Sequence, residues 1–100
     1  MQIVISAICT DGPSLRERIG DDPQLNKYLL AIDKKQTPGR KPGWLKLKSS
    51  DKQRGAINVV WDSQANILTA RVITKGSARP SAIVGDFIIY LLSRHGRRVR

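Results

Sequence analysis

Polar and apolar residues alternate through two neighbouring stretches of this chain, and the pattern then changes to a helical period. Ala56-Ile57-Asn58-Val59-Val60-Trp61 and Ile67-Leu68-Thr69-Ala70-Arg71-Val72-Ile73-Thr74 are rich in β-branched and aromatic residues, which suit a pleated, half-buried surface. Between them, Asp62-Ser63-Gln64-Ala65-Asn66 supplies turn formers, and Asn66 can adopt a left-handed conformation at low cost. The two runs read as a hairpin. From Ser81 to Ser93, Ile83, Val84, Phe87, Ile88, Leu91 and Leu92 fall on one broad helical stripe. Hairpin and helix must bury against each other, which places Phe87, Ile88, Leu91 and Leu92 in the core. Ile89 lies on the Ala82–Gly85–Asp86 side, away from that stripe. Glycine inside a helix is destabilising relative to alanine, so Gly85 predicts a close backbone approach, from a strand or from a second copy of the helix.

Upstream, Gln2 to Cys9 is short and rich in β-branched residues, which favours a strand over a buried helical start. Asp11-Gly12-Pro13 ends it. Ser14 to Ile19 makes one or two helical turns stopped by Gly20. Asp22 suits an N-cap and Pro23 a first helical position, with Leu25, Tyr28, Leu29 and Ile32 following at i, i+3, i+4 and i+7. This predicts a helix from about Pro23 to Lys35. Residues 36–43 form an exposed loop rich in Pro, Gly and basic residues. In Trp44-Leu45-Lys46-Leu47-Lys48 the leucines face inward, and Trp44, Lys46 and Lys48 face out. Residues 49–55 and 75–80 read as connecting loops. Gly96 ends the last helix, and Arg97–Arg100 is a short edge strand or a basic tail.

The expected fold is a small single α+β domain over residues 1–100. A three- or four-stranded, mostly antiparallel sheet packs against the C-terminal apolar helix, with a second helix before the sheet. Residues 1–20 add a strand and a helical turn. From residue 22 the order helix, three strands, helix resembles that of double-stranded-RNA-binding domains, over about three quarters of the chain. Those domains carry a lysine cluster at the start of the last helix. Arg79-Pro80-Ser81-Ala82 holds that place here, and Lys75 and Arg79 are the basic residues nearby. An order of elements transfers no function by itself.

Charge narrows the choice of partner. The chain has 18 Lys and Arg against 8 Asp and Glu, a formal net charge of +10. Residues 1–33 hold three basic and five acidic side chains, and residues 34–100 hold fifteen and three. Such a field favours polyanions: nucleic acid, an anionic membrane surface or an acidic protein. Cys9 is the single cysteine, which excludes an intramolecular disulfide and points to a reducing, cytoplasmic setting. Met1 to Cys9 has no basic n-region and meets Asp11 too soon for a signal peptide. The Ile83–Leu92 run is well short of the roughly 20 residues that span a bilayer, so no transmembrane segment is expected.

Three basic groups are candidate nucleic-acid contacts. Lys46, Lys48, Arg71 and Lys75 share a sheet face if the strands pair outer face to outer face, with Trp44 beside them to stack on an unpaired base. The bland alternative is a solvated face with Trp44 capping the core edge. Arg40 and Lys41 lie between two Pro-Gly pairs on a loop that either follows a phosphate backbone or merely connects. Arg97 and Arg98, with Arg94, His95 and Arg100, form the third group. Favourable charge at a helix C-terminus accounts for Arg94 and His95 alone, and a membrane-surface helix is a further alternative.

Catalysis finds little support. The sole thiol, Cys9, and sole imidazole, His95, come from distant parts of the chain. Cys9 reads as a small buried hydrophobe, His95 as a helix-end charge, and Asp22, beside Asp21, as a cap. No metal-ligand spacing and no glycine-rich phosphate loop occurs, so no catalytic residue, metal or cofactor is expected. The expected function is a small basic binding protein for RNA or single strands. The alternative is a non-catalytic interaction subunit that docks an acidic protein or complex.

Overall fold

Five alternating segments pair into one sheet in the computed structural model, which describes residues 2–40, 43–49, 55–74 and 81–100. The strands are β1 (Gln2–Ile8), β2 (Leu30–Lys34), β3 (Trp44–Ser49), β4 (Ala56–Asp62) and β5 (Ile67–Ile73), and the helices are α1 (Leu15–Gly20) and α2 (Ser81–His95). Every neighbouring pair is antiparallel, in the order β1-β5-β4-β3-β2. Strands β2 to β5 form a meander, and β1 returns to pair with β5.

Register explains the core. Ile5, Ala70, Val59 and Leu45 stand opposite one another across four strands, and Ile3, Val72, Ile57, Leu47 and Ile32 across five. Alternation puts both rows on one face. Leu15 and Ile19 of α1, and Ile83, Phe87, Tyr90 and Leu91 of α2, complete the same buried cluster. The domain therefore has two layers, with its described helices on one side of the sheet.

Local signals act in several places, and the turn formers Asp62 to Asn66 do so as expected. The Ser14 hydroxyl caps α1 by accepting from the Glu17 N–H. Asp62 accepts from the Gln64 and Ala65 N–H groups in the hairpin turn, and Asn66 takes φ 54°. Gly55 has φ +153°, and a Cβ there would lie 2.6 Å from Ile83 Cδ1 and 2.9 Å from the Ile73 carbonyl oxygen. A side chain at that crossing of β4, β5 and α2 has no room.

Residues 23–35 differ from expectation. They hold a single 3-10 turn, Leu25–Tyr28, then Leu29 at φ 63°, then β2. The helical spacing there coexists with an alternating pair, Leu30 and Ile32, and a helix this short is marginal in isolation. Pairing with β3 decides the outcome: Leu30 is fully buried, whereas Leu29 is exposed. The sheet thus gains a strand, and the order of elements no longer follows that of the double-stranded-RNA-binding domains. A second correction concerns α2. Phe87 and Leu91 are buried, but Ile88 is 38% and Leu92 56% exposed, and Tyr90 takes the inward place instead.

The last residues are an edge segment, not a free tail. Cys9 and Val99 form an antiparallel bridge. The Thr10 N–H donates to the Arg98 carbonyl at 2.7 Å, and the Arg100 N–H to the Ile8 carbonyl at 2.8 Å.

Candidate functional site

The sheet face away from the described helices carries one group of cations. Strand pairing sets Lys34, Lys46, Asn58, Arg71 and Val4 in one cross-strand row, and Lys48, Ala56, Ile73 and Gln2 in the next. Lys46, Lys48 and Arg71 share this outer face, and an irregularity in the β2 register after Ile32 sets Lys34 opposite Lys46. Lys48 and Arg71 are exposed. Lys46 is half-buried and reaches Asp33 at 3.6 Å. Lys41 and Lys75 lie outside the described residues. Val4 and Val60 are exposed on the same face, and none of the described helices packs there.

Trp44 stands on this face, as alternation requires, but it is not an open platform. It is 4% exposed. Its indole N–H donates to Asn58 Oδ1 at 3.2 Å, and the Arg40 guanidinium lies 5.5 Å from the ring centroid. The exposed indole expected for base stacking is thereby overturned; the ring instead anchors Arg40, whose charge stays in solvent. On the backbone side, Arg16 Nε donates to the Trp44 carbonyl at 2.9 Å, while other nitrogens of Arg16 donate to the Lys35 carbonyl and Glu17 Oε1. Arg16 is a buried arginine that ties α1 to the start of β3. Nothing in its sequence context distinguishes it from the exposed Arg18.

The other expected group divides. Arg98 is fixed: it donates to the Pro13 carbonyl at 2.9 Å and the Thr10 carbonyl at 3.2 Å, with its guanidinium 5.8 Å from the Trp61 centroid. Arg97 is exposed. Arg18, Arg94, His95, Arg97 and Arg98 all line a cleft of about 510 Å³ at the end of α2.

Beside that cleft sits a polar cluster that the sequence did not reveal. Tyr90 donates its hydroxyl proton to Asp22 Oδ2 at 2.8 Å, so His95 Nε2, 3.0 Å away, donates to the Tyr90 oxygen. Arg94 grips both Asp22 oxygens at 3.1 and 3.2 Å, and the Gln24 N–H reaches Oδ1 at 2.8 Å. Asp22 does cap a turn, but it also binds the start of the 3-10 segment to the end of α2. Burial pushes its carboxyl up, and the bonds from Arg94, Gln24 and Tyr90 outweigh this and hold it below the ordinary value. Burial and the Asp22 carboxylate push the Tyr90 hydroxyl well above its usual range. Burial likewise keeps His95 below its ordinary value, against the attraction of Asp22. His95 is therefore a neutral partner at pH 7 and not the helix-end charge expected. Burial raises the Cys9 thiol too, as suits the small buried hydrophobe expected there.

These directions fix a pH dependence. Above the unfolded value of about 6.5, His95 is neutral in both states and its neutral packing costs nothing. As pH falls below that value the unfolded chain takes up the proton first, so stability drops. Asp22 adds a second loss as pH falls through and below the ordinary carboxyl value. The melting temperature is expected to fall between about pH 7 and pH 5, and His95→Gln should flatten that fall. An equal slope in the variant would remove His95 from the account.

The molecule is thus a two-layer α+β domain with a cation-bearing sheet face that none of the described helices covers. The chain matches no known protein family, no curated protein and no solved structure. Among the described residues, no group of three or more His, Cys, Asp or Glu is placed to hold a metal ion. None of the described helices is long and apolar enough to cross a membrane.

Proposed function

We propose that the outer sheet face binds nucleic acid, as RNA or single strands, with Lys34, Lys46, Lys48 and Arg71 on phosphates and Arg40 at its edge. The protein then acts by binding and not by catalysis. The observation that carries the reading is the cross-strand row Lys34, Lys46 and Arg71, with Lys48 in the next row, on a face that the described helices leave uncovered. Cations held in register gain affinity by releasing condensed counterions. Single strands suit this face better than duplex, because it offers no described element that would enter a major groove. Val4 and Val60 give unstacked bases an apolar surface between the cations.

Fluorescence anisotropy with a single-stranded RNA oligonucleotide, a DNA duplex, heparin and polyglutamate at two salt concentrations tests this. Lys48→Glu with Arg71→Glu spares the Lys46–Asp33 pair, and both residues are exposed, so the fold should survive. The double variant should bind single-stranded RNA at least about tenfold more weakly, with a salt slope lower by about two. Wild-type affinity in a folded double variant would move the site elsewhere, to the cleft at the end of α2 first. Polyglutamate binding as tight as RNA binding would favour the acidic-partner alternative.

A further inference from the structure

The cleft at the end of α2 is walled by cations from three parts of the chain. Arg18 comes from α1, Arg94 and His95 from the last turn of α2, and Arg97 and Arg98 from the edge segment beyond it. Its volume is about 510 Å³, and among the described residues no acidic side chain lines it. Small molecules occupy pockets of about 300–1,000 Å³, so the cleft has the size of a ligand site.

Like charges repel, and neighbouring acids ordinarily relieve a cluster of this kind. Here those acids are committed elsewhere. Glu17 pairs with the buried Arg16 at 2.8 Å, Asp21 with Lys35 at 3.4 Å, and Asp22 with Arg94 at 3.1 Å. Arg94 is thereby neutralised. Arg18, Arg97 and Arg98 have no carboxylate within ion-pair distance among the described residues. Burial is the first cause that keeps His95 neutral, and Asp22 opposes it, but Arg94, Arg18 and Arg98 each add to it. Their fields therefore converge on the wall that His95 occupies.

Two of the three uncompensated charges are exposed and the third is fixed. Arg18 and Arg97 extend into solvent. Arg98 is held by the Thr10 and Pro13 carbonyls and by the Trp61 ring, none of which carries a charge. It also lies against Gly12, where a Cβ would come 3.0 Å from the guanidinium carbon, at a φ of +154° that side chains rarely adopt. Its charge is in place before any ligand arrives, which lowers the entropic cost of binding.

We propose that this cleft binds the phosphate group of a phosphate monoester, with Arg18 and Arg97 closing on its oxygens and Arg98 supplying a fixed charge. A monoester carries about 1.5 to 2 negative charges near pH 7 and three strong acceptor oxygens. Three cations from separate elements match that better than they match a carboxylate, and guanidinium forks pair with phosphate oxygens two at a time. The carbonyl end of α2 disfavours an anion by about half a charge, which three guanidiniums outweigh. Leu92, more than half exposed on the same cleft, gives the body of the ligand an apolar surface. The chemistry is the same for a free phosphorylated small molecule and for the 5′ end of a nucleic-acid strand, and it does not rest on the outer sheet face.

Titration of the full chain with adenosine 5′-monophosphate and with adenosine, followed by amide NMR shifts, tests it. The monophosphate is expected to bind with a Kd of about 1 mM or tighter, and adenosine at least about tenfold more weakly. Arg18→Gln and Arg97→Gln alter exposed side chains and should leave the circular dichroism spectrum unchanged. Each should weaken the monophosphate about tenfold. Lys48→Glu with Arg71→Glu should leave its affinity unchanged, which separates this cleft from the outer face. In that double variant, a preference of about tenfold for RNA with a 5′-phosphate over RNA with a 5′-hydroxyl supports the site with a strand end as the source. Equal affinity for the two RNAs, with the monophosphate still bound, supports it with a free small molecule. No monophosphate binding at about 10 mM overturns the proposal. Adenosine bound as tightly as the monophosphate, or wild-type affinity in both folded arginine variants, overturns it equally.

Discussion

Phe87→Ala is expected to lower the melting temperature by more than about 12 °C. Phe87 is fully buried among Ile83, Tyr90, Leu91 and the inner face of the sheet. Truncating a buried phenylalanine costs about 3–5 kcal/mol, partly in lost transfer energy and partly in the cavity left behind. That is a large share of the roughly 5–15 kcal/mol available to a domain. Leu92→Ala is the matched control, since periodicity alone ranks the two residues equally. Leu92 is more than half exposed, and its variant should lose at most a degree or two. Equal losses in the two variants would show that α2 is rotated from the orientation described.

Trp44→Ala is expected to cost about as much, roughly 3–5 kcal/mol, although Trp44 lies on the opposite side of the sheet. The indole is buried, its N–H is bonded to Asn58, and Arg40 rests on the ring. The variant therefore loses apolar burial, orphans the Asn58 acceptor and releases Arg40. Weaker RNA binding should accompany it only through Arg40, so Arg40→Ala should reproduce the binding loss without the loss of stability. In a Trp61→Phe background, single-stranded RNA should leave Trp44 fluorescence nearly unquenched. Strong quenching would mean that the ring leaves its site and stacks on a base, as an exposed indole would.

Local rules determined a good deal of this molecule from its sequence. Alternation set the β4–β5 hairpin and turned Leu45 and Leu47 inward, and Asn66 took its left-handed conformation because its own side chain permits it. Short-range apolar period found α2 and its inner anchors, Phe87 and Leu91. The charge asymmetry after residue 33 was countable, and alternation already placed Lys46 and Lys48 together. What pairing decides was not legible. Residues 30–34 satisfy both a helical and an alternating pattern, and only the exposed edge of β3, with hydrogen bonds to be met, selects the strand. Lys34 reached the cation row by that route. The burial of Trp44 depends on Asn58, fourteen residues away on β4, a contact that no window of neighbouring residues contains. The same holds for Asp22, whose partners Tyr90, Arg94 and His95 lie about 70 residues away. Which side of α2 is buried was likewise set by where the sheet stands, because its apolar residues extend beyond the core stripe, and a chain pattern records apolarity without recording what covers it.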